Sequence, residues 1–81
     1  MNLVFLQGEI VSNTNFNFIY KGSHISIVEF NIKVQNNNII LLKAYDEIAD
    51  YIFANCKVGD CINIIGSITN TGTIINEVYC S

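Results

Sequence analysis

The chain has 81 residues, enough for one domain over residues 1–81, and a domain this small buries only about 60% of its unfolded surface, so dimerisation would help it. It is 51% hydrophobic with a mean hydropathy of +0.38, yet no apolar run approaches the ~18 residues that cross a bilayer, which excludes a membrane-spanning helix. A net charge of −3, with four lysines and no arginine, speaks against strong nucleic-acid binding, which draws on phosphate neutralisation; a local stripe of lysines can still outweigh the sum.

The first predicted strand runs from Asn2 to Val11. Val4, Leu6, Gly8 and Ile10 share one phase, and Leu3, Phe5, Gln7 and Glu9 share the other. Gly8 inside the strand predicts a bulge or a sharp bend, as barrel corners need. The segment is apolar but carries Gln7 and Glu9, with no leading lysine or arginine, so it is read as a strand and not as a signal peptide. The protein is accordingly expected to stay where it is made. Ser12 to Asn17 reads as a polar turn region, and Phe16 to Tyr20 leads into a turn at Lys21-Gly22-Ser23.

The second predicted strand, Ile25 to Val34, has the cleanest alternation: Val28, Phe30, Ile32 and Val34 should face the core, and Ile27, Glu29, Asn31 and Lys33 should face out. Asn36 to Asn38 predicts a hairpin turn, because asparagine tolerates the left-handed region. The third strand is Ile39 to Tyr45, with Ile40, Leu42 and Ala44 on one face and Ile39, Leu41, Lys43 and Tyr45 on the other. A helix follows, with Asp46 as its N-cap and Glu47 and Asp50 in its first turn, where the dipole favours acids. Ile48, Ala49, Ile52 and Phe53 form an apolar stripe that would plug one end of a barrel. The helix is expected to end near Lys57-Val58-Gly59-Asp60. The fourth strand, Cys61 to Ile68, contains Gly66; Asn70-Thr71-Gly72 is a short turn; the fifth strand runs from Thr73 to Tyr79.

Three strands, one helix, then two strands is the order of the OB-fold, an all-β, five-stranded Greek-key barrel with one short helix between its third and fourth strands. That fold commonly binds single-stranded nucleic acid or oligosaccharide, though fold alone does not assign a function. The three cysteines, Cys56, Cys61 and Cys80, form an odd set without a secretory signal, which favours reduced thiols. Cys56 and Cys61 would be either small buried hydrophobes or two ligands of a metal, without the tight spacing of a zinc pair and with His24 as the only histidine. No nucleophile constellation, phosphate-binding loop or dinucleotide fingerprint is present, so neither an enzyme nor a cofactor is expected. Heavy use of isoleucine and asparagine reads as the codon bias of an AT-rich genome.

Across essentially its whole length the chain resembles the bacterial-type single-stranded DNA-binding proteins and their short relative, the primosomal replication protein. The resemblance rests on Asn2-x-Val4-x-Leu6-x-Gly8, Gly22, Val28-x-Phe30-x-Ile32-x-Val34 and Ile40-x-Leu42-x-Ala44-Tyr45, followed by Ile48-Ala49, Lys57-x-Gly59-Asp60, Ile64-x-Gly66-x-Ile68 and Glu77-Val78. Size and composition also look like a short plastid-encoded reading frame of this type. The resemblance implies an OB-fold that binds single-stranded DNA, or RNA, as an accessory of replication. Its setting would be the cytoplasm, or the plastid stroma for a plastid-encoded chain, with a replication protein as a further partner.

In the family an aromatic just before the helix stacks on a base, and Tyr45 holds that place; the alternative is a tyrosine closing the barrel end with its hydroxyl in water. Lys43 shares the outward phase with Tyr45, and Lys33 shares it with Asn31, so the lysines would contact phosphates and Asn31 would hydrogen-bond. The chain departs from the family at Glu9, Ile39 and Leu41, in the short Thr69–Thr73 hairpin, and in lacking an acidic C-terminal tail, so weak, salt-sensitive affinity is expected. Family members form dimers or tetramers. Leu3 and Phe5 point outward from the core phase, and pairing of two first strands would hide an edge otherwise prone to aggregate. Ile27, Ile39 and Leu41 make a second outward apolar patch, either for a homo-oligomer or for another protein. The alternative function is a protein–protein interaction module that has lost nucleic-acid binding; a saccharide-binding OB domain is a third reading.

Overall fold

A computed structural model describes residues 2–12, 15–20 and 24–80, with side chains at 2–12 and 26–80. Six strands and one helix follow one another as β1 (Leu3–Ile10), β2 (Asn15–Tyr20), β3 (His24–Lys33), β4 (Ile39–Tyr45), α1 (Asp46–Asn55), β5 (Cys61–Thr69) and β6 (Gly72–Cys80). The strands form one sheet in the order β1-β5-β6-β4-β3-β2, and β1 also pairs with β3 through Glu9↔Lys33 and Ile10↔Ile32, which closes a barrel. The five barrel strands are therefore β1, β3, β4, β5 and β6, with the helix between the third and fourth of them: the expected OB-fold.

One segment differs from expectation. Asn15–Tyr20 is a strand and not a lead-in to a turn; it pairs antiparallel with the first half of β3, from Asn15↔Glu29 to Tyr20↔His24. Asn15 and Asn17 lie on the edge strand of the sheet, opposite Glu29 and Ile27, where backbone pairing overrides weak local propensity. The turn expected at Lys21-Gly22-Ser23 lies outside the described residues.

The alternation of the barrel strands does what the sequence leads one to expect. Val28, Phe30 and Ile32 of β3 are buried, as are Leu42 and Ala44 of β4 and Ile10 of β1. Ile62, Ile64 and Ile75 complete the wall from β5 and β6, and burying each such side chain contributes about 1.5–3 kcal/mol. The β3–β4 connection is a 3₁₀ turn over Gln35–Asn37, with Asn36 at φ +68° and Asn37 at φ +62°, the left-handed conformation that asparagine tolerates. Gly66 lies at a bulge: Ile65 pairs with Glu77 and Gly66 with Ile75, so Asn76 is the extra residue, and its amide donates to Ser67 Oγ at 3.0 Å.

The helix departs from its predicted form at both ends. Tyr45, extended at φ −128° and ψ 152°, takes the N-cap place expected of Asp46, and no side chain caps the first turn. Asp46 is the first helical residue at φ +54°, because β4 runs into α1 without a connecting loop and a left-handed residue must make the turn. The first turn holds Asp46 and Glu47, and Asp50 comes a turn later. Ala49 and Ile52 are buried over the barrel end and Ile48 is half-buried. Phe53, expected in the same stripe, is 56% exposed, since it lies about 90° around the helix from the middle of the buried sector.

Cys56 ends the helix in extended conformation, slightly before the end expected near Lys57-Val58-Gly59-Asp60, and Lys57 to Asp60 form a turn. The Asp60 amide donates to the Lys57 carbonyl, and the Lys57 amide to Asp60 Oδ2, both at 3.0 Å. Gly59 sits at φ +97°, and the turn docks on the end of β1: Gly59 N–H donates to the Ile10 carbonyl and Ile10 N–H to the Asp60 carbonyl, both at 2.9 Å. The Lys57-x-Gly59-Asp60 motif thus has an architectural job, locking the helix exit to the first strand.

The cysteines are not all reduced. Buried Cys56 and half-buried Cys80 form a disulfide, with Cα atoms 6.5 Å apart and a sequence separation of 24. Cys80 lies opposite Ile62 and shares its inward phase, whereas Cys61, one residue earlier, is on the outer face. The bond removes Cys56 from any ligand pair with Cys61, and among the described residues no group of three or more His, Cys, Asp or Glu is placed to hold a metal ion.

Candidate nucleic-acid interface

The outer face of β3 and β4 carries every residue predicted to touch a strand. The pairing register runs Ile27↔Tyr45, Glu29↔Lys43, Asn31↔Leu41 and Lys33↔Ile39. Directly opposed residues project to the same side, so Tyr45, Lys43, Asn31 and Lys33 share one surface. The hairpin turn at 35–37 determines this register, and a slip of one residue would turn the two candidate side chains of one strand into the barrel while those of the other stay outside.

Tyr45 stands where the strand ends. Its extended backbone and the abrupt turn at Asp46 leave the ring at the rim, 37% exposed, with half-buried Ile27 opposite. Lys43, two residues back on the same face, is half-buried, with Ile74 of β6 as its other cross-strand neighbour. Asn31 is held by its backbone: its N–H donates to Ser12 Oγ at 2.8 Å, and its carbonyl accepts from Val11 N–H at 3.0 Å. These bonds anchor β3 to the chain leaving β1 and leave the Asn31 side chain in the outward phase. Lys33 is exposed where β3 meets β1.

The apolar residues predicted as an interface divide between two places. Ile27, Leu41 and Ile39 lie among the polar candidates on the β3–β4 face, with Ile39 exposed and the other two half-buried. Leu3 and Phe5, 53% and 70% exposed, lie on the outer face of β1, opposite Ser67 and Ile65 of β5. On β6 beyond them is exposed Tyr79, whose hydroxyl donates to Glu77 Oε1 at 3.2 Å. That hydrogen bond, with the carboxylate's charge, holds the phenol above its ordinary pKa.

Two features were not picked out from the sequence. Glu29 directly opposes Lys43, and the phase of β3 together with a turn centred near Asn36 carries the signal for that pairing. A cavity of about 640 Å³ lies along β1, lined by Phe5, Gln7, Glu9, Lys33, Gln35 and Cys61 among others; no sequence pattern announces it, since it forms where β1 and β3 diverge.

By sequence the chain matches no family model and no curated protein. By structure it is similar to the wild-type single-stranded DNA-binding protein from Thermus aquaticus, with a TM-score of 0.85 and 16% identity over 100% of this chain and 40% of that one. It is similar to the SSB domain of a Synechococcus protein, with a TM-score of 0.85 and 14% identity over 98% and 94% of the two chains. It is also similar to the small single-stranded DNA-binding protein from Streptomyces coelicolor, with a TM-score of 0.73 and 13% identity over 100% and 95%. The chain thus spans about two-fifths of the Thermus protein and nearly all of the other two. Barrel order, helix position and these likenesses agree: the chain has the OB-fold of the single-stranded DNA-binding proteins.

Proposed function

We propose that this protein binds single-stranded DNA on the outer face of β3 and β4, with weak, salt-sensitive affinity. The observation that carries the reading is Tyr45: an aromatic ring at the rim of an OB barrel, on the same face as Lys43, Asn31 and Lys33. A base stacks on the ring, the lysines meet phosphates, and the Asn31 amide offers both a donor and an acceptor. Stacking is worth roughly 1–3 kcal/mol per base and tolerates any sequence. With two lysines on the face, phosphate neutralisation adds little and fades as salt rises. The structural likeness to proteins named for single-stranded DNA binding supports the same reading.

The proposed assembly is a homodimer or homotetramer. Among the described residues, β1 pairs with β5 along its length on one side but meets β3 only at Glu9 and Ile10 on the other, which leaves most of an edge open beside exposed Leu3 and Phe5. The proposed setting is accessory to DNA replication, in the cytoplasm or, as the AT-rich composition supports, a plastid.

A second reading, an interaction module for another protein, is favoured by the apolar share of the same face: Ile27, Leu41 and Ile39 lie between the polar residues. Fluorescence anisotropy with labelled oligothymidine separates the two. The wild type should bind at about 50 mM salt and weaken by about 200 mM, and Tyr45→Ala should weaken binding by at least several-fold. Absence of binding to DNA and RNA at low salt would sink the first reading and leave the second.

A further inference from the structure

Both lysines of the β3–β4 face stand directly across from a carboxylate. Glu29 of β3 opposes Lys43 of β4, and Glu9 of β1 opposes Lys33 of β3. Each lysine's other cross-strand neighbour is uncharged: Ile74 beside Lys43 and Ile39 beside Lys33. Opposed residues hold their Cβ atoms about 4.5–5.5 Å apart, well inside the ~10 Å screening length of ordinary buffers. The four groups together carry no net charge. A phosphate that approaches either lysine therefore comes within the field of a carboxylate on the next strand.

Building on the proposed strand-binding reading, we infer that Glu29 and Glu9 are affinity-limiting residues of this face, each competing with backbone phosphate for the lysine opposite it. The arrangement leaves base stacking on Tyr45 as the main source of affinity. It also makes the acidic partners, and not a shortage of lysines alone, the cause of weak binding. Two of the seven acidic residues of the chain occupy these positions; Asp46, Glu47 and Asp50 are on the helix.

The test is anisotropy with labelled oligothymidine at about 50 and about 200 mM salt on Glu29→Gln, Glu9→Gln and the double variant. Asp50→Asn, which makes the same change in net charge on the helix, is the control. Each glutamine should tighten binding about two- to five-fold at low salt, and the double variant more. The salt slope should steepen by up to about 0.7 for each lysine released. Lys43→Gln placed in the Glu29→Gln chain should cancel that chain's gain, which ties the effect to the pair. Wild-type binding with no gain in either glutamine variant overturns the inference and leaves the function reading standing. An equal gain from Asp50→Asn overturns it as well, because net charge then explains the result. Failure of the wild type and all variants to bind at low salt overturns the function reading itself, and the inference with it.

Discussion

A methyl group on Gly8 would sit 2.7 Å from the carbonyl oxygen of Lys33 and 3.1 Å from its carbonyl carbon. The obstacle is the backbone of β3, which cannot swing aside as a side-chain tip would. Gly8 is thus the point where β1 passes close enough to β3 to close the barrel. Gly8→Ala should destabilise the fold by about 1–3 kcal/mol, seen as a lower urea midpoint at an unchanged slope. A midpoint equal to that of the wild type would mean that the barrel closes elsewhere. At the same scale, Tyr45 and Asp46 act as a unit: the left-handed turn at Asp46 stops the strand, and stopping it there presents the ring at the rim.

At the scale of elements, the helix is tied down at its C-terminal end. Cys56 closes the last turn, with its N–H on the Ile52 carbonyl at 2.9 Å, and its sulfur is bonded to Cys80 at the end of β6. The link therefore joins the barrel's plug to its last strand across a separation of 24 residues. Closing a loop of that size in the unfolded chain stabilises the fold by about 3 kcal/mol on the chain-entropy account. Adding a dithiol reductant, or making Cys80→Ala, should lower the thermal midpoint by several degrees. The oxidised protein in denaturant should show one reactive thiol per chain, rising to three on reduction. Three thiols without reductant, and a midpoint indifferent to it, would argue that the link does not form.

At the scale of the molecule, the principal extents are 42, 29 and 18 Å. The outer face of β1 is apolar at its start, where Leu3 and Phe5 are exposed, Phe5 by 70%. An open strand edge beside exposed Leu3 and Phe5 suits a second copy of the chain better than water. Phe5→Glu should convert the assembly to monomer by light scattering while circular dichroism stays that of a β-barrel. A wild type that is already monomeric at high micromolar concentration would refute the proposed homo-oligomer.

Alternation by twos was enough to place Val28, Phe30, Ile32, Leu42 and Ala44 inside and Asn31, Lys33, Lys43 and Tyr45 outside, because the side chains of a strand have only two sides to choose between. The same local pattern located β4 and the start of α1 at Asp46 and, through the order of elements, the OB-fold itself. What it could not reach were facts that depend on which segments meet. Asn15–Tyr20 is a strand only because β3 is there to pair with it. Cys56 and Cys80 meet only because the helix exit and the end of β6 converge on one end of the barrel. Glu29 and Glu9 face the two lysines only once register and barrel closure are in place. Phase is a property of one strand and is written in its residues; pairing is a property of two, and the free energy that selects it comes from burial and hydrogen bonds made across the whole barrel.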